Sequence, residues 1–300
     1  MLELDKKSGL ISQTIAKFKL LIQAVATILT NIHLPNFLKG EIYRGRFKKV
    51  CVPGLNCYSC PGAAGACPIG AFQAVVGSSK FSFAYYITGF LILLGMLLGR
   101  FICGFMCPFG WFQDLVHKIP SKKFSTKKLH YLKYLKYVIF LVMVLALPIL
   151  VTNELGMGNP FFCKYLCPQG VLEGAIPLSI KNAGIRAALG KLFSWKLSLL
   201  IAVLGFSIFT YRPFCKFICP LGAFYAVMNK FSFLQMFVNE KCVSCGKCKR
   251  VCPMDVDVVK NPNSAECIRC GVCIKSCPTK AISYKYGLGV LKCEKADKKP

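Results

Sequence analysis

The sequence predicts an α-helical membrane protein of about four transmembrane helices with a small α+β domain at its C-terminal end. Three observations lead there. Hydrophobic residues make up 55% of the 300 residues and charged residues only 17%, at a mean hydropathy of +0.51, whereas a soluble domain carries roughly 25% charged residues. Several long stretches hold no charge and come near the roughly 20 residues that span a bilayer. Nineteen cysteines share the chain with 39 Lys and Arg against 12 acidic residues, a formal charge of +27. The apolar content excludes a disordered chain, and the long apolar spans exclude the short disulfide scaffolds of secreted proteins.

Uncharged stretches run over residues 20–38, 81–99, 137–153 and 197–211. The second and third are dense in Leu, Ile, Val and Phe. Gln23, Asn31, His33 and Pro35 dilute the first, while the short last one has Trp195, Lys196, Tyr211 and Arg212 to anchor its ends at the interfaces. A cleaved signal peptide is the rival reading of the start, and against it stands the lack of a small-residue cleavage site after residues 20–30. Lys118, Lys122, Lys123, Lys127, Lys128, Lys133 and Lys136 crowd the loop between the second and third stretches, so that loop is expected in the cytoplasm with both termini. Lys39, Arg44, Arg46, Lys48 and Lys49 resist this topology, which puts them outside. The cations would set topology and meet anionic lipid headgroups, or offer a docking face to an acidic electron carrier. No nucleic-acid motif accompanies them.

After a membrane domain of residues 1–239, residues 240–285 carry two copies of one run. Cys242, Cys245, Cys248 and Cys252-Pro form the first, and Cys267, Cys270, Cys273 and Cys277-Pro the second, each with the C-x2-C-x2-C-x3-C-P spacing of bacterial two-cluster ferredoxins. Three cysteines in a tight loop reach three corners of a cubane, and Gly246 and Gly271 let the backbone pass close by. The fourth corner comes from the other run, so one [4Fe-4S] cluster is expected on Cys242, Cys245, Cys248 and Cys277, the other on Cys267, Cys270, Cys273 and Cys252. Zinc sites use Cys pairs with a longer spacer and no repeated proline. So small a domain has little core, which makes its clusters structural as well. A basic tail, residues 286–300, follows and holds Cys293, read as an unattached thiol.

The membrane domain repeats a second element. Cys103-x3-Cys107-Pro-x-Gly, Cys163-x3-Cys167-Pro-x-Gly and Cys215-x3-Cys219-Pro-x-Gly are one motif, and Cys57, Cys60 and Cys67-Pro-x-Gly form a divergent copy preceded by Cys51. Proline suits the first turn of a helix, which puts each Cys-Pro cysteine at a helix N-terminus, where N–H groups and the dipole favour a thiolate. One pair supplies only two corners of a cubane, so two pairs must combine. On the four-span topology Cys103 and Cys107 share the inner face with Cys215 and Cys219. The outer face has Cys57, Cys60, Cys163 and Cys167, or Cys67 in place of one of them. That is one or two further [4Fe-4S] clusters. Thiol–disulfide relays are the rival reading, and inert buried thiols fit poorly with four copies sharing Pro and Gly at fixed offset. A cubane on four thiolates carries about −2, a charge that Lys164, Lys216, Lys247, Lys249 and Arg269 beside the cysteines would offset.

These motifs, between about residue 50 and residue 280, resemble the polyferredoxin-type membrane 4Fe-4S proteins of the NapH/NosR-like family. The resemblance implies a membrane electron-transfer protein with a cytoplasmic ferredoxin domain, its C-x3-C-P cysteines corresponding to Cys103, Cys107, Cys215 and Cys219. The pair Cys163 and Cys167 and the residue 51–67 group depart from the family pattern, and the C-x-x-C-H haem motif is absent from the sequence. The expected function is electron transfer between a cytoplasmic ferredoxin- or flavodoxin-like donor, or the quinone pool, and a membrane or extracytoplasmic redox protein. A component of an oxidoreductase system fits better than a stand-alone enzyme, and no residue is expected to be catalytic. The alternative is an assembly or regulatory polyferredoxin that reduces a metal or thiol during metalloenzyme maturation. His33, His117 and His130 read as interfacial residues. Asp114, Glu154 and Glu173 are isolated along the chain, and Glu173 either accepts quinol protons or faces water.

Overall fold

The computed structural model describes residues 2–78, 85–152 and 158–287. Glu154, residues 81–84 and Cys293 lie outside the described residues. Helices predominate, with one two-stranded sheet near the C-terminal end. Among the described residues two helical runs are long and apolar enough to cross a membrane, Leu129–Leu150 with 22 residues and Lys191–Phe209 with 19. At 1.5 Å per residue they measure about 33 and 28 Å, against a hydrocarbon core of about 30 Å. Leu141, Leu150, Ile201 and Phe206 are exposed on them, a surface suited to lipid rather than to water.

The other two expected spans are shorter. Within 20–38 the helix Lys19–Thr30 has 12 residues and ends where Asn31 leaves helical geometry, its side-chain amide donating back to the Thr27 carbonyl at 3.1 Å. Pro35 then opens a separate five-residue helix, Pro35–Lys39. The helix Tyr85–Leu98 has 14 residues, about 21 Å. Four full-length spans therefore reduce to two among the described residues. The third span also starts earlier than its uncharged core, because Lys133 and Lys136 lie within its helical run. Pro148 can neither donate to that ladder nor tolerate the carbonyl four residues back, and the wider π-helical turn Phe140–Ala146 directly precedes its short helix.

The C-terminal part pairs β1 (Leu234–Val238) antiparallel with β2 (Ile282–Tyr286), from Leu234 opposite Tyr286 to Val238 opposite Ile282. Short helices Lys247–Val251 and Val272–Ser276 carry the middle of each cysteine run. The N-terminal helix Leu2–Lys17 packs on this unit: Ser12 Oγ accepts from the Tyr284 N–H at 3.0 Å, and a Cβ on Gly271 would meet Ala16 Cβ at 2.6 Å. Gly271 also has φ +77°, so glycine is required there twice over.

Buried ion pairs fasten this unit to the helices. Glu266 accepts from Arg100 at 3.0 Å and from Lys136 at 2.6 Å, and both cations are fully buried. Lys136, expected in a solvent-exposed basic loop, is instead a structural cation. Asp255 takes Ser125 and Thr126 hydroxyls at 2.7 Å each and Lys216 at 3.2 Å. A third cluster binds the helices to one another. Asp114 accepts from Arg212 Nε at 2.6 Å, Lys19 at 2.8 Å and Gln23 at 3.1 Å, so it is isolated only along the chain.

Candidate functional site

Cys67, Cys107 and Cys219 take extended backbone at the N-caps of helices Pro68–Val76, Pro108–His117 and Pro220–Met228. Proline at the first helical position gives up an N–H that would have no helical partner there. The glycine two residues further on turns its N–H to the sulfur. Gly222 N donates to Cys219 Sγ at 3.3 Å, and the N–H groups of Gly70, Gly110 and Gly170 lie close enough to the sulfurs of Cys67, Cys107 and Cys167 to favour their thiolates. That glycine faces the opposite pair, since a Cβ on Gly70 would be in van der Waals contact with Cys163 Sγ at 3.8 Å and one on Gly170 with Cys57 Sγ at 3.8 Å. The motif C-P-x-G is thus a sulfur-capped helix start with room kept for something beside the sulfur.

Cys57, Cys67, Cys163 and Cys167 line one cavity of about 450 Å³, together with Asn56, Gln169 and Lys196. Cys60 does not line it. It is 1% exposed and turns its thiol to Asn31 Oδ1 at 3.4 Å. Of the two sets expected for the outer face, the structure gathers the one with Cys67. Cys51 is held by a bridge to Ala66 and is also outside the cavity lining.

Cys103, Cys107, Cys215 and Cys219 are all buried and lie close enough that a thiolate on one would repel the others. In the C-terminal part Cys252 joins Cys267, Cys270 and Cys273 around one small cavity, the cross-run grouping that the spacing predicts. Cys242 and Cys248 are neighbours, and Cys245 is exposed.

Among the described residues no three of His, Cys, Asp and Glu close on a single metal ion, and a lone zinc would need its sulfurs at about 2.3 Å. The outer quartet, around a cavity of about 450 Å³, leaves room for a multi-iron group instead. The protein alone does not supply thiolates here. Burial pushes the Cys107 and Cys167 thiols up to about 12 and Cys67 up to about 11. The expected helix-terminus thiolates are therefore not favoured by the protein alone, because desolvation outweighs the N–H donors. A bound cationic core is what would hold them deprotonated.

The groups follow one another closely. Gly104, between Cys103 and Cys107, has its Cα against the Ile268 carbonyl, between Cys267 and Cys270. On the other side a Cβ on Gly54 would lie 2.8 Å from the Cys107 Cα, while Leu55, Asn56 and Cys57 line the outer cavity. Tyr225, fully buried, fills the gap and donates to the Pro53 carbonyl at 3.0 Å. The two quartets are thus neighbours, joined through residues 53–57.

Several expected compensating cations serve the protein instead. Lys216 binds Thr126 and Asp255, Arg269 binds the carbonyls of Leu98 and Asn229 and the Ser232 hydroxyl, and Lys249 pairs with Asp257. Nearest the membrane quartets are Lys196 on the Cys163 carbonyl at 3.1 Å, Arg100 on that of Cys215 at 3.4 Å, and Arg212 on that of Cys103. Glu173 accepts from the Cys57 N–H at 3.0 Å, and burial pushes its carboxyl up to about 7. His33 stacks on Tyr43, His117 bonds the Ser207 carbonyl and His130 lies against Tyr131, none of them lining a cysteine cavity. Sequence reasoning missed Gln73 and Gln113, both fully buried with an amide on a cysteine sulfur. Their signal was available, since each lies six residues after a Cys-Pro cysteine.

Sulfur-capped cysteine quartets leading to a two-run C-terminal unit define a polyferredoxin-type iron-sulfur protein. The 4Fe-4S binding domain family matches residues 65–84, 82–127, 137–176 and 193–236, and the 4Fe-4S dicluster domain family residues 235–278. An uncharacterized protein of Methanocaldococcus jannaschii, MJ0750, is 34% identical over 65% of this chain and 76% of its own length. The methylamine utilization ferredoxin-type protein MauN of Paracoccus denitrificans is 26% identical over 61% of this chain and 55% of its own, and the putative electron transport protein YccM of Escherichia coli is 25% identical over 56% and 45%. The regulatory protein NosR of Stutzerimonas stutzeri matches more distantly, over 21% of its length. Apart from MJ0750, the chain spans about half or less of these relatives. No solved structure matches it. The chain belongs to the polyferredoxin-type 4Fe-4S proteins of the NapH/NosR-like family.

Proposed function

We propose that this protein is a membrane-bound electron conduit with four [4Fe-4S] clusters. Cys242, Cys245, Cys248 and Cys277 would hold the first, Cys252, Cys267, Cys270 and Cys273 the second, Cys103, Cys107, Cys215 and Cys219 the third, and Cys57, Cys67, Cys163 and Cys167 the fourth. When bound, such clusters supply one-electron chemistry at potentials set by hydrogen bonding and burial. The observation that carries the reading is the backbone contact between successive cysteine groups, Gly104 on Ile268 and Gly54 on Cys107, because electron tunnelling falls steeply with distance.

The protein's own residues shape the two ends. Around exposed Cys245, Lys241, Lys247, Lys249 and Arg250 are also exposed, a rim suited to an acidic ferredoxin- or flavodoxin-like carrier. The far end is the open cavity with Lys196 and Gln169, where a quinone or an extracytoplasmic redox protein would exchange electrons. Residues 1–239 form the membrane domain in this reading, with the basic loop and the C-terminal unit in the cytoplasm.

Iron and acid-labile sulfide per chain, followed by potentiometric titration and stopped-flow mixing with reduced ferredoxin and with quinol, test it. Four cubanes that reduce and reoxidise rapidly are expected. A content of only two cubanes, or clusters that never change oxidation state, would overturn the conduit.

A further inference from the structure

The four Cys-Pro segments repeat one position six residues after the Cys-Pro cysteine, occupied by Gln73, Gln113, Glu173 and Tyr225, of which Gln73, Gln113 and Tyr225 are fully buried. The two glutamines do the same thing in two places. Gln73 Nε2 donates to the Ile69 carbonyl and to Cys163 Sγ, both at 3.2 Å. Gln113 Nε2 donates to the Phe109 carbonyl at 3.4 Å and to Cys215 Sγ at 3.3 Å. In each case the first acceptor is the carbonyl four residues back and the second is the leading cysteine of the opposite C-x3-C-P motif. Two acceptors around one nitrogen fix which end of the amide faces the sulfur, and Gln73 Oε1 adds a bond from the Phe162 N–H at 3.0 Å. The second half of the chain breaks the pattern. Glu173 only accepts, from the Cys57 N–H, and Tyr225 donates to the Pro53 carbonyl. Among the described residues each quartet thus receives one hydrogen bond from a glutamine amide to a cysteine sulfur, on one side.

From this repeated geometry we infer that Gln73 and Gln113 are positioning residues that set the reduction potentials of the two membrane clusters. Gln73 would act through Cys163 on the outer one and Gln113 through Cys215 on the inner one. The inference rests on the cluster ligation proposed above. An N–H donor to a ligand sulfur stabilises the more negative, reduced state. Removing it favours the oxidised state and lowers the potential of that cluster.

The test is EPR-monitored potentiometry of full-length protein carrying Gln73→Met or Gln113→Met, which keep side-chain length and lose the donor. Each variant should shift the one-electron equilibrium of its own cluster roughly tenfold toward oxidised, about 59 mV lower, and leave the other membrane cluster unmoved. Should a variant fail to fold, pulsed EPR of the reduced wild-type protein grown with side-chain 15N-glutamine reads the same contact as a hyperfine coupling to each membrane cluster. Four cubanes with unchanged potentials, or no 15N coupling, overturn this inference and leave the conduit standing. A wild-type content of two cubanes overturns the conduit and this inference with it.

Discussion

Replacing Asp114 by Ala should cost about 3–5 kcal/mol of folding stability, the range for deleting one partner of a buried ion pair. The carboxylate, 8% exposed, accepts from Arg212 at 2.6 and 2.7 Å and from Lys19 at 2.8 Å. Arg212 is fully buried, and without Asp114 its one remaining acceptor among the described residues is the Cys103 carbonyl. Most of the loss is thus an unpaired guanidinium, so the double variant D114A/R212M should recover to within about 1–2 kcal/mol of wild type. Heat or denaturant unfolding in detergent, followed by visible absorption of the iron-sulfur chromophore, measures both. Acid provides an independent arm. Burial alone would raise the Asp114 carboxyl, but the Arg212 guanidinium and Lys19 ammonium outweigh it and hold the group well below the usual carboxylate range. A depressed carboxyl stabilises the fold above its unfolded value of about 3.9 and loses that contribution as pH falls through the folded value. The gap between wild type and D114A should therefore be complete from about pH 5 upward and shrink in stronger acid. A single variant costing under about 1 kcal/mol at neutral pH, or a double variant no better than the single, would refute this reasoning.

Cys67→Ser should remove one cubane's worth of iron while Cys60→Ser leaves the iron content unchanged, because only Cys67 lines the outer cavity; equal losses would return Cys60 to the ligand set. Gly104→Val places a side chain against the Ile268 carbonyl and should slow electron passage from the C-terminal unit to the membrane quartets at full iron content, read by stopped-flow. Asp255→Ala removes the acceptor for Ser125, Thr126 and Lys216. Each lost bond to a charged group is worth about 1.5–3 kcal/mol, and limited proteolysis around residues 118–128 should quicken. Iron chelation should unfold the C-terminal unit, seen as lost protection of the β1–β2 backbone in hydrogen exchange, since so few residues have little core of their own.

Much of this could be read along the chain because it is written in local spacing. The two ferredoxin runs and the C-x3-C-P copies need only cysteine positions, whereas the pairing of the copies rested on four crossings, of which two have full-length helices among the described residues. What escaped depends on tertiary contacts. Spacing leaves both Cys60 and Cys67 as candidates, and the tertiary contact with Asn31 turns the Cys60 thiol away. Lys136 reads as loop charge until Glu266 meets it from 130 residues further on, and the apolar run over 20–38 hides the break that Asn31 and Pro35 make. The glutamines were legible but unread, because an uncharged polar residue in an apolar helix carries no alarm of its own.

The quartets also bear on how the protein is made. The outer one draws on residues 57 and 67 and residues 163 and 167, and the inner one joins partners across a similar gap of about a hundred residues, a long loop to close on entropy grounds. During synthesis the first Cys-Pro helices must wait, with oxidisable thiols among apolar side chains, until the second half of the chain arrives. Metal loading at these two places would then be a late event, and a truncated or misthreaded chain would present half-built sites that hold no cubane.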